Sequence, residues 1–85
     1  MNKIEFDVVK YGDLRKGDII KWYGATVRII DVSHVKRECG GFLRPCTYFT
    51  IEPYDIEAVE LLGNFYSHGQ YGGIDELRVE RSAIL

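Results

Sequence analysis

Apolar and polar residues alternate from the start of the chain, with Ile4, Phe6 and Val8 set against Glu5 and Asp7. A period of two is the mark of a half-buried strand. Gly12-Asp13 and Lys16-Gly17-Asp18 carry turn chemistry, and Ile19 to Tyr23 reads as a second strand. Tyr23-Gly24 is a candidate tight turn, with glycine supplying the positive φ. Beyond it Ala25, Val27 and Ile29 share one face, and then the apolar phase moves to Ile30 and Val32. A phase slip inside one strand predicts a bulge or sharp bend near Ile29-Ile30. Cys39 to Cys46, with Gly40-Gly41 inside, reads as a loop. Thr47 to Glu52 returns as a strand with Thr47, Phe49 and Ile51 on one face.

The pattern changes once. Over Pro53–Leu62 the apolar residues Ile56, Val59 and Leu62 recur at spacing three, which predicts a short helix. Asp55 is the expected N-cap, Glu57 sits in the first turn where the helix dipole favours an acid, and Gly63 is the expected stop. Asn64 to Gly73 reads as a loop rich in glycine and tyrosine. Glu76 to Arg81 is expected as a final strand with Leu77 and Val79 inward.

At 85 residues the chain makes one domain, spanning 1–85, near the size at which a single core becomes marginal. Composition offsets this, since 46% of residues are hydrophobic and 13% aromatic, enough for a core without metal or disulfide. Charge is nearly balanced, with 11 basic and 13 acidic residues, but it is uneven along the chain. Residues 1–46 hold nine Lys/Arg against six Asp/Glu, and residues 47–85 hold two against seven. Folding can mix these charges again, or leave an acidic face suited to a basic partner. No apolar run is long enough for a transmembrane helix, and Glu5 and Asp7 interrupt any leader-like pattern. The expected location is the cytoplasm, where two cysteines are expected as free thiols.

The Leu14-x-x-Gly17-Asp18-x-Ile20 opening, the short strand, the tight glycine turn and the long bent strand together resemble an SH3-like barrel. The resemblance covers about two thirds of the chain and is one of fold pattern. The acidic tyrosine motif and late Pro-x-x-Tyr pattern of true SH3 domains are absent, so proline-rich ligand binding is not implied. The expected fold is therefore mainly β: a small SH3-like, partly open barrel of about five strands, with one short helix before the last strand.

Catalytic chemistry finds little support. Ser67-His68 are neighbours whose side chains diverge on a strand, and there is no Gly-x-Ser-x-Gly elbow. His34, Cys39, Cys46 and His68 are spaced more widely than structural zinc sites usually are. Gly69-Gln70-Tyr71-Gly72-Gly73 lacks the terminal lysine and the following helix of a phosphate cradle. The expectation is a non-catalytic protein with no metal and no cofactor.

Two binding surfaces compete. The first joins Tyr54, Glu57 and Glu60 of the helix region with Tyr66, His68 and Tyr71 of the glycine-rich loop. Tyrosine favours protein interfaces, being large, stiff and polar at one end, and acids beside it would steer a basic partner. The second joins Lys21, Trp22, Arg28, Lys36, Arg37 and Arg44, a basic and aromatic strip of the kind that holds single-stranded nucleic acid. The sequence pI of about 5.6 weighs against the second. The leading expectation is a protein-interaction module, with a protein or a second copy as partner and no membrane. An accessory or inhibitor protein of a bacterium, phage or mobile element fits this profile. The alternative is a nucleic-acid-binding β-barrel.

Overall fold

A computed structural model describes residues 5–63 and 70–83. It holds strands β1 (Phe6–Lys10), β2 (Ile19–Trp22), β3 (Ala25–Cys39) and β4 (Phe42–Pro53), then helix α1 (Ile56–Leu62), then β5 (Tyr71–Ile74) and β6 (Arg78–Ser82). The six strands form one antiparallel sheet in the order β1-β6-β2-β3-β4-β5. The sheet is open, with β1 and β5 at its edges, and the helix precedes the last two strands. Six strands replace the expected five or so, because the stretch read as a glycine-rich loop contributes β5.

Two tight turns set the register. Tyr23 and Gly24 have φ of 51° and 84°, and Gly40 and Gly41 have 60° and 85°. Two successive left-handed residues match the twist of a two-residue hairpin turn. The Gly40-Gly41 turn corrects the loop expected over Cys39–Cys46: β3 runs unbroken to Cys39, which pairs with Phe42. The slip expected near Ile29-Ile30 is present. Ile29 pairs with Ile51 and Asp31 with Thr50, leaving Ile30 as the extra residue of a bulge. The inward face therefore passes from Ile29 to Val32, while Ile30 is left part-exposed.

One core gathers Tyr11, Leu14, Ile20, Ala25, Val27, Ile29, Phe49, Ile51, Ala58 and Val79. Tyr11 opens a short 3-10 turn after β1 and meets Phe49 edge to face at 5.5 Å. Thr47, Phe49 and Ile51 are all buried, as their alternation predicts.

Three inward assignments are corrected. Val8 points out, 62% exposed, and Val9 packs on the core instead, because Val9 is the residue that pairs with buried Val79. Leu77 lies in the turn before β6 and is half exposed. In α1 the inward residues are Ala58 and Leu62, so Ile56 and Val59 are turned away from the core. The helix rests on β3 and β4 through its smallest residue, which lets its backbone approach the sheet closely.

Candidate functional site

Helix α1 begins where Asp55 Oδ1 accepts a hydrogen bond from the Ala58 backbone N–H at 2.9 Å. It ends where the Gly63 N–H reaches the Val59 carbonyl at 2.9 Å. With ~100° between successive residues, burying Ala58 and Leu62 forces the remaining apolar residues outward. Ile56 is 73% exposed, Leu61 65% and Val59 41%. Glu57 and Glu60 are exposed among them, and α1 carries no basic residue. Tyr54, just before the helix, is 40% exposed. Arg28 lies 5.7 Å from its ring centroid and forms a 3.5 Å ion pair with Glu52.

A second surface lies at the other end of β4. The β4–β5 pairing stops at Cys46 and Ile74, with the Asp75 N–H reaching the Pro45 carbonyl at 3.0 Å, and, among the described residues, 36–44 have strand partners only within the β3–β4 hairpin. They form a two-stranded ribbon on a body whose longest extent is 48 Å. Register decides what each ribbon face carries. Val35, Arg37 and Cys39 share a face with Cys46, Arg44 and Phe42, and Lys36 and Glu38 share the other with Pro45 and Leu43. Phe42 and Leu43 are each 70% exposed at the tip, and Val35 is 43% exposed. Arg37 is held in place, its Nη1 donating to the Tyr48 hydroxyl at 2.8 Å. That bond raises the arginine's already high pKa.

The residues expected to bind protein are only partly brought together. Tyr54, Glu57 and Glu60 lie on or beside α1. Tyr66 and His68 fall outside the described residues. Tyr71 is not on a loop: it pairs with Phe49 in β5, is half-buried, and its ring lies 5.4 Å from that of Trp22. The basic strip divides in two. Trp22 packs against the core, Lys21 lies 5.1 Å from the Phe6 ring and donates to Thr26 Oγ1 at 3.2 Å, and Arg28 is engaged as described. Lys36, Arg37 and Arg44 form a separate group on the ribbon. Sequence reading missed the apolar side of α1, because spacing alone put Ile56 and Val59 in the core.

A polar chain joins β3, β4 and the turn after β5. Thr47, fully buried, donates its hydroxyl proton to Asp75 Oδ1 at 2.8 Å. His34 Nδ1 lies 2.9 Å from the hydroxyl oxygen of Thr47, Oγ1. A hydroxyl has one proton, so Nδ1 is the donor in the second bond. This chain fastens β3 to β4 and to the residue after β5, and its hydrogen bonds are satisfied internally.

The cysteines sit apart. Cys46 pairs with Val35, four residues from Cys39 along β3, which is roughly 13 Å of strand. A bridge needs Cα atoms within about 7 Å, so the Gly-Gly tip does not permit one. Cys39 is exposed and Cys46 buried, both as free thiols. Among the described residues no three His, Cys, Asp or Glu side chains cluster to hold a metal. A concavity of about 480 Å³ is lined by Asp7, Arg15, Asp18 and Arg81 among others. Arg81 is committed there to the Asp13 carbonyl at 2.9 Å and to Asp18 at 3.4 Å. No helix among the described residues is long and apolar enough to cross a membrane.

No family model matches the chain, and no curated protein matches it in sequence. Function has to be read from the geometry of this molecule.

Proposed function

We propose that this chain is a non-catalytic protein-interaction module on an SH3-like sheet, binding through the outer side of α1. The observation that carries this reading is the helix itself. Ile56 and Val59 face outward on one side and Leu61 on the other, with Glu57 and Glu60 between them and Tyr54 and Asp55 just before the helix. Exposed apolar side chains gathered on one helix and interleaved with charge of a single sign are suited to recognition of a partner of opposite charge. The proposed surface takes in Tyr54, Glu57 and Glu60. The reading extends to a cytoplasmic accessory or inhibitor protein of a bacterium, phage or mobile element.

The test is the pair Ile56→Asp with Leu61→Asp. Both side chains are already in water, so the fold should survive with a circular dichroism spectrum like that of the wild type. Binding to partners recovered by a tagged wild-type chain should weaken by at least about 2 kcal/mol. Undiminished binding by a folded variant would dismiss this surface.

The nucleic-acid reading keeps one specific support, the grouping of Lys36, Arg37 and Arg44 on a projecting ribbon. It requires affinity for single-stranded DNA that falls steeply with salt and depends on those three residues.

A further inference from the structure

We infer that the partner of the helix surface is a second copy of this chain, whose β3–β4 ribbon lies on α1 in a reciprocal, two-fold pair. The inference rests on the reading of α1 as a binding surface and names its occupant.

Complementarity is the first argument. The ribbon face with Phe42 and Val35 carries Arg37 and Arg44 and no acid. Helix α1, with Ile56 and Leu61, carries Glu57 and Glu60 and no base, and Arg28, over the neighbouring Tyr54 ring, is paired with Glu52. Each combines exposed apolar groups with charge of one sign, and the signs are opposite. Such pairing favours encounter in one orientation and disfavours like against like.

Position is the second argument. Strand β4 runs from the ribbon tip at Phe42 to Pro53, and α1 starts three residues later. Twelve strand residues span roughly 40 Å, so tip and helix lie toward opposite ends of the molecule. A chain cannot lay its ribbon on its own helix. Two antiparallel copies can, and each then supplies both halves of the contact. That arrangement is self-complementary and closed, as two-fold dimers are.

The ribbon also needs cover. An isolated two-stranded hairpin is marginal in water, and this one holds Phe42 and Leu43 exposed at its end. Among the described residues its β4 edge has no strand partner beyond the Pro45 carbonyl, which accepts from the Asp75 N–H, and Pro45, with no N–H, discourages edge-to-edge growth. A contact of the Phe42 face with a helix covers Phe42 and Val35 without adding strands.

The decisive experiment exchanges the charges. Arg37→Glu with Arg44→Glu makes an acidic ribbon beside an acidic helix, and Glu57→Lys with Glu60→Lys makes both basic. Light scattering after size exclusion should give the wild type twice its 9.8 kDa mass at a concentration on the order of 100 µM. Each variant alone should be monomeric, its self-affinity reduced by more than about tenfold. An equimolar mixture should recover the dimer, since both contacts regain opposite charge. Because Arg37 also holds Tyr48, Phe42→Asp gives an independent ribbon variant, also expected to be monomeric. A monomeric wild type, variants that still dimerise, a mixture that stays monomeric, or open-ended oligomers would each overturn the inference. If it falls while Ile56→Asp/Leu61→Asp still abolishes binding to captured partners, the interaction reading stands with another protein as partner. If that variant also binds normally, both fall.

Discussion

Thr47 and Asp75 are 28 positions apart in the chain, and their side chains meet at 2.8 Å with the threonine as donor. The bond ties the middle of β4 to the residue after β5, and His34 joins it from β3. Thr47→Val keeps the shape and removes the hydroxyl. It should cost about 1–3 kcal/mol, because the buried polar contact is lost on both sides. Chemical denaturation reads this directly, and an unchanged midpoint would mean that water substitutes fully. The same geometry fixes the His34 ring: when neutral, it should carry its proton on Nδ1, as nitrogen-15 shifts will show.

Gly72 has φ of 148°, and a β-carbon there would collide with the Thr47 carbonyl oxygen and crowd Tyr48 Cα. Gly72→Ala should cost at least about 2 kcal/mol and loosen β5, since both the backbone angle and the space require glycine. Faster amide exchange at Tyr71 and Ile74 would mark the loosening. A fully stable variant would show that β5 is not pinned there.

Asp55 caps α1 through Ala58, and Asp55→Ala should lower stability by about 0.5–2 kcal/mol. Because the helix carries the proposed binding surface, the loss should appear in binding as well as in the thermal midpoint.

Burial of Tyr11, and secondarily the nearby Tyr23, raises the Tyr11 phenol above its ordinary value of 10.0. The unfolded chain therefore loses this proton first as pH rises. Its stabilising contribution is complete below pH 10 and declines as pH climbs from there through the folded-state value. Tyr11→Phe should flatten the fall in melting temperature above pH 10 relative to wild type. Equal slopes would assign alkaline unfolding to other groups.

Only some of this architecture was legible in the sequence. Alternation located the buried faces of β3 and β4, and the slip from Ile29 to Val32 announced the bulge, because side-chain direction follows the backbone with a period of two. Asp55 and Gly63 bracketed the helix through cap chemistry. Edge positions were harder to place. Val8 and Val9 are both β-branched, and only the pairing of Val9 with Val79 decides which one turns inward. On α1 the spacing of Ile56 and Val59 favoured the wrong side, since close approach to the sheet selected Ala58. Tyr71 looks like a loop residue among glycines, yet its neighbour Gly72 lets β5 lie tightly against β4. The polar chain through Thr47 left no local trace, because its members come from β3, β4 and the turn after β5.

Ile30 makes no cross-strand pair of its own, and the ladder on either side of it is in register. Deleting it would leave every other partner in place, with Ile29 still opposite Ile51 and Val32 still opposite Phe49. What would change is the direction in which the distal hairpin leaves the body, since an unpaired residue bends its strand and adds twist. One residue thus acts as the elevation screw of the arm, adjusting where its tip points without altering what the tip is made of.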